Sequence, residues 1–135
     1  MIDLAISIGL ILFLIAVLAI AAWWKRRQPF SKRILEKITV MWREIEMMSE
    51  EEPEQAILKA DSLLDFALGK TGLRGSMGEK LKKAPERFSH LDDLWTAHKL
   101  RNRLAHEVDA YLTPAQTSSA LKAFRRAFYD LDISL

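Results

Sequence analysis

Cysteine is absent from the 135 residues. That excludes a disulfide-stapled scaffold and any thiolate-ligated zinc site. Glycine (5) and proline (4) are sparse, which excludes a collagen-like or low-complexity chain. The formal net charge is only +2 and half of the residues are hydrophobic, so the chain is not a highly charged disordered one. No run alternates with period two between turn signals, so strands are not expected. Gly72, Gly75 and Gly78 do not make a phosphate loop, because no Gly-Lys-Ser/Thr follows them. There is no DNA-binding motif and no aromatic-basic ribonucleoprotein motif.

What is there falls into two unequal parts, which the mean hydropathy of −0.02 averages away. Within residues 1–24 only Asp3, Ser7 and Gly9 are not hydrophobic. Residues 25–135 carry 20 Lys and Arg against 17 Asp and Glu, a formal charge of +3. Residues 4–24 lack any charge, and as a helix they rise about 32 Å, enough for roughly 30 Å of hydrocarbon. Trp23 and Trp24 end the run and Lys25, Arg26, Arg27, Lys32 and Arg33 follow. Those signals predict a single transmembrane helix in an inner or plasma membrane, N-terminus outside and the remainder cytoplasmic. A cleaved signal peptide fits less well, since the basic cluster lies after the apolar core. The expected division is an anchor with basic flank over 1–27, a linker and helix start over 28–33, and a cytoplasmic helical bundle over 34–135.

Gln28-Pro29-Phe30 breaks any continuing helix, and Ser31 can cap a new one. Ile34, Leu35, Ile38, Met41, Trp42, Ile45 and Met48 trace one helical face. Pro53 suits a first turn, and Ala56, Ile57, Ala60, Leu63, Leu64, Ala67 and Leu68 form a second face stopped by Gly69 and Gly72. Ser76-Met77-Gly78-Glu79 has capping-box spacing for a short helix over 79–84, ended by Pro85. A third long helix is expected over 89–108, with Leu91, Leu94, Trp95, Ala105 and Val108 on its stripe. Thr113-Pro114 caps and starts the last, which turns Leu121, Phe124, Phe128 and Leu131 inward. The fold expected is all-α: the single N-terminal span, then an antiparallel four-helix bundle.

The third long helix carries an unusual polar column. His98, Asn102 and His106 are spaced i, i+4, i+8, with Arg101 beside them. Each polar group turned toward a core needs a partner, so the cluster points to a cleft or an interface. For His98 an ordinary hydrogen bond to the second of these helices or to the loop after it is at least as good a reading. The two histidines lie about 12 Å apart along the axis and cannot share an ion. Neither metal nor cofactor is expected. Lys80, Lys82, Lys83 and Arg87 form one basic patch and Lys122, Arg125 and Arg126 another. Either could touch phosphates, although solvated helix faces look the same. His98, Lys80, Lys82 and Lys83 are the candidate binding residues.

Arg101-Asn102-Arg103-Leu104-Ala105-His106 resembles the signature of the HEPN superfamily, an arginine, a polar residue and then a histidine after four to six intervening residues. Residues 100–107 are similar to the form seen in small bacterial HEPN-like domains. The resemblance covers roughly 31–133, outside the apolar segment. It implies a helical bundle with the motif on a late helix, dimerising so that two motifs face each other, here a homodimer through the third long helix. It implies, for the nuclease members, metal-independent RNA cleavage by attack of a ribose 2′-hydroxyl on the adjacent phosphate. The candidate catalytic residues are then Arg101 on the phosphate, Asn102 orienting, and His106 carrying the proton. Other HEPN-like domains are non-catalytic partners or dimerisation modules. Arg101 and His106 point about 140° apart on one helix, so a single copy converges them poorly. Two readings stand: a membrane-anchored interaction, dimerisation or RNA/nucleotide-binding module, and an endoribonuclease completed at a dimer interface.

Overall fold

Side-chain caps set where α2 (Lys32–Met48), α4 (Met77–Lys83) and α6 (Pro114–Asp130) begin. A computed structural model describes residues 1–27 and 30–135, apart from the side chains of 2–5 and 23–27. Among the described residues the chain is all-helical. The elements are α1 (Ile2–Arg27), α2 (Lys32–Met48), α3 (Pro53–Lys70), α4 (Met77–Lys83), a 3-10 turn (Pro85–Arg87), α5 (Leu91–His106) and α6 (Pro114–Asp130).

Ser31 Oγ accepts from the Ile34 amide and opens α2. Pro53 occupies the first turn of α3, where its missing N–H costs nothing. Both arms of a capping box close at α4 (Ser76, Glu79) and at α6 (Thr113, Gln116). Helix α5 is shorter than the pattern predicts. Ser89 is drawn away, its amide and hydroxyl both donating to the Asp130 carboxylate. At the other end Glu107 is extended, so Val108 lies outside the helix and 99% exposed rather than on a buried stripe.

Helix α3 is the central element, packing against α2, α4, α5 and α6. Its Ile57, Leu64 and Leu68 are fully buried, and they meet Ile38 and Ile45 of α2, Leu94 of α5 and Phe124 and Phe128 of α6 in one core. Burying each such side chain contributes about 1.5–3 kcal/mol. Trp42 packs edge-on to Phe128, ring centroids 5.6 Å apart, which ties α2 to α6. Phe30 and Ile133, near the two ends of this unit, are also buried.

The N-terminal segment corrects the expectation of a membrane span. Among the described residues no helix is long and apolar enough to cross a membrane. The single-pass topology, with the N-terminus outside and a cytoplasmic bundle attached to a membrane, therefore loses its support. The Trp23 and Trp24 rings, the side chains of Lys25, Arg26 and Arg27, and the expected break at Gln28-Pro29 lie outside the described residues.

Candidate functional site

The polar residues of α5 meet a carboxylate from α3. Asp61 stands on the core face of α3, four residues after Ile57 and three before Leu64, and is only 2% exposed. His98 of α5, 7% exposed, places Nδ1 at 2.7 Å from Asp61 Oδ1. On its other side His98 Nε2 lies 3.3 Å from Asn102 Nδ2. Asn102 Oδ1 accepts from an Arg101 terminal nitrogen at 3.1 Å. Arg101 Nε lies 3.3 Å from Asp61 Oδ2, an ion pair without hydrogen-bond geometry.

The donors and acceptors fit one direction around this ring. Because Asn102 Oδ1 takes the arginine proton, its amide nitrogen donates to His98 Nε2. That leaves Nδ1–H of His98 to donate to Asp61, which fixes the tautomer. The Asp61 carboxylate is matched by the Arg101 guanidinium, so both buried polar side chains have partners, as burial demands. Trp95 stacks edge-on to His98 at 5.8 Å, and Gly78 of α4 closes the other approach. A Cβ there would sit 3.6 Å from His98 Nε2 and from Trp95.

Among the expected catalytic residues, Arg101 and Asn102 are thus brought together, with His98 and with Asp61. His106 is not. It is exposed at the last position of α5 and forms no hydrogen bond or ion pair among the described residues. The reason is helical geometry: each step of four residues turns about 40° past a full circle, so the column has rotated about 80° by its third member. A histidine in a last turn also complements the helix dipole when charged. Arg101 keeps 30% of its side chain exposed, and it is the only member of the pair-and-ring system that offers a charged group to a ligand.

The expected binding lysines part company. Lys80 is 7% exposed and held by Asp65, Nζ to Oδ1 at 2.8 Å and to the Asp65 carbonyl at 3.1 Å. It is a packing element between α4 and α3. Lys83 donates to the Arg74 carbonyl at 2.6 Å, and Lys82 is exposed. His98 is inside the ring and buried. Among the described residues no group of three or more His, Asp or Glu is placed to hold a metal ion.

Asp61 is the site residue that sequence reading passes over. A signal for it exists: a carboxylate at i+4 from Ile57 and i−3 from Leu64 occupies a core position on an otherwise apolar face, and such a group requires a buried partner. No protein-family model matches the chain, and neither a curated protein nor a solved structure matches it.

Proposed function

We propose that this chain is a HEPN-like helical domain that works as a non-catalytic module, dimerising or binding RNA or a nucleotide through the exposed side of α5. The observation that carries this reading is the closed Asp61–His98–Asn102–Arg101 ring. Its groups are engaged with one another, and the one imidazole within it is buried. A proton carrier at Arg101 is therefore lacking within one copy, since His106 points elsewhere on the helix. The ring instead stiffens the α3–α5 contact and leaves the Arg101 guanidinium as a fixed cation for a phosphate or a carboxylate.

Sedimentation of the full chain and of Ala105→Glu and His106→Ala tests the dimer. Both positions are exposed on α5, so the variants are expected to fold and to sediment as monomers at concentrations where the parent is a dimer. A parent chain that stays monomeric, and binds neither RNA nor nucleotide, would sink this reading.

One observation favours the endoribonuclease reading. Arg101 and His106 are both accessible on the same helix, so a two-fold axis across α5 could set the arginine of one copy near the histidine of the other. Cleavage of RNA by the full chain, lost in both Arg101→Ala and His106→Ala, would select it over the non-catalytic reading.

A further inference from the structure

The side of α5 opposite the Arg101 ring forms a second feature. A groove of about 830 Å³ runs between α5 and α6. Its floor is made of small side chains, Ala97, Ala120 and Ala123, all under 10% exposed, with Leu100 beside them. Five cations line it, Lys99 and Arg103 from α5 and Lys122, Arg125 and Arg126 from α6, against one carboxylate, Asp93. Arg125 is paired with Glu46 at 2.8 Å and Arg126 lies 3.9 Å from Asp130. Lys99 and Lys122 are exposed and have no hydrogen bond or ion pair among the described residues. They stand on the two different helices that wall the groove.

We infer that this groove docks an acidic amphipathic segment of a partner protein, its apolar side chains on the alanine floor and its carboxylates against Lys99 and Lys122. Alanines let a partner backbone approach closely, and a helix laid in such a groove is held by anchors at i, i+3, i+4 and i+7 spacing. The charge around the floor selects the sign of the segment. A single-stranded nucleic acid fits the lining less well. Its non-specific binding relies on aromatic faces for its bases. Tyr129 and His90 are the aromatic rings of the lining; the Arg126 guanidinium already lies 5.8 Å from the tyrosine centroid, and His90 Nδ1 lies 3.0 Å from Ser89 Oγ. The alanine floor gives its sugars and bases no hydrogen bond, whereas it suits apolar side chains. The groove is separate from the Arg101 ring, so it stands whichever reading of that ring holds.

The test is fluorescence anisotropy of the full chain with three labelled probes. The first is a helical peptide of about 16 residues, with leucines at i, i+3, i+4 and i+7 and glutamates elsewhere. The second is a scrambled peptide of identical composition, and the third a single-stranded RNA of matching charge. The patterned peptide is expected to bind saturably and at least about tenfold more tightly than the scrambled one. The Lys99→Glu, Lys122→Glu double variant should weaken it by at least about tenfold with an unchanged unfolding midpoint. Equal binding of the two peptides would mean simple ion exchange and overturns the inference. So does RNA binding that the patterned peptide fails to displace, or absence of peptide binding. If the chain self-associates in sedimentation and the double variant abolishes this, the occupant is a second copy and the partner segment is refuted.

Discussion

His98 of α5 donates from Nδ1 to Asp61 of α3 across 2.7 Å, joining two helices through residues 37 positions apart. The bond is buried at both ends, and Asp61 is also the counter-charge of Arg101. Removing the carboxylate therefore strands a buried imidazole N–H and an arginine at once. Breaking a fully buried pair costs about 3–5 kcal/mol. Arg101 keeps 30% of its side chain in solvent, so Asp61→Ala is expected to cost less, about 2–3 kcal/mol. Urea unfolding measures it. A cycle with His98→Ala should return a coupling of about 1–2 kcal/mol, and a coupling near zero would mean that the two side chains do not depend on each other.

His106 has the opposite prognosis. It is exposed at the end of α5 and bonds to nothing among the described residues. At concentrations where both chains are monomeric, His106→Ala is therefore expected to leave stability within about 0.5 kcal/mol of the parent, as for surface changes generally. The Arg101→Ala change should destabilise measurably, since it opens the ring at Asp61 and at Asn102. Thermal unfolding of the two variants side by side checks the ranking. If His106→Ala proved the more damaging, the histidine would have a structural contact that this fold does not give it.

Local signals were legible and distant ones were not. Ser31, the Ser76–Glu79 pair and Thr113 were readable as helix starts because each acts on amides within three residues of itself, and Pro53 and Pro114 because a fixed φ and a missing N–H suit a first turn. The core faces followed from spacing alone: Ile38, Trp42 and Ile45 are buried where the period put them. That His98 bonds either to the helix that is α3 or to the loop after it was legible as well, and α3 is the one. Its acceptor Asp61 was not, because a carboxylate amid apolar neighbours names no partner until the helices are docked. His106 was misplaced in the column because i, i+4, i+8 spacing approximates one face over two members but drifts too far over three. Length and composition together predict a membrane span for the apolar N-terminal run, and among the described residues no helix meets those two conditions together.

Glu79 gives the fold a local dependence on pH. Its carboxylate accepts from the Ser76 backbone N–H at 2.7 Å. That bond, the contact with the Ser76 side chain, and the nearby Lys83 and Lys82 together hold its carboxyl below the ordinary glutamate value. A depressed carboxyl stabilises the folded form above its unfolded pKa, and the contribution is lost as pH falls through the lowered folded value. Helix α4 should therefore fray at its N-terminus on acidification. An NMR titration is expected to show the Glu79 carboxyl shift and the Ser76 amide shift moving together, at a pH below the ordinary glutamate value. In Glu79→Gln the amide oxygen still accepts the Ser76 N–H, so the Ser76 amide should stop responding to acid while the cap persists. A Ser76 amide that titrates unchanged in that variant would place the dependence on another group.

Three of the five glycines separate into one that can be improved and two that cannot. Gly69 lies in the last turn of α3 with its backbone outside the left-handed region. A Cβ added there would meet only Lys80 Nζ, at 3.5 Å, an ordinary contact with the end of a side chain. Alanine restricts the unfolded chain more than glycine does and suits a helix better. Gly69→Ala is therefore expected to stabilise the fold by about 0.5–1 kcal/mol. Gly72 and Gly75 have φ values of +92° and +106°, a region that L side chains enter only with strain. At Gly75 the new Cβ would also strike the Glu79 carboxylate that closes the α4 capping box. Gly72→Ala and Gly75→Ala should both destabilise, by about 1 kcal/mol or more, with Gly75→Ala the worse because it loses the cap as well. Denaturant midpoints of the three variants decide the matter. A destabilised Gly69→Ala would show that Lys80, locked between the two Asp65 oxygens, cannot yield even the small space that a methyl group asks of it.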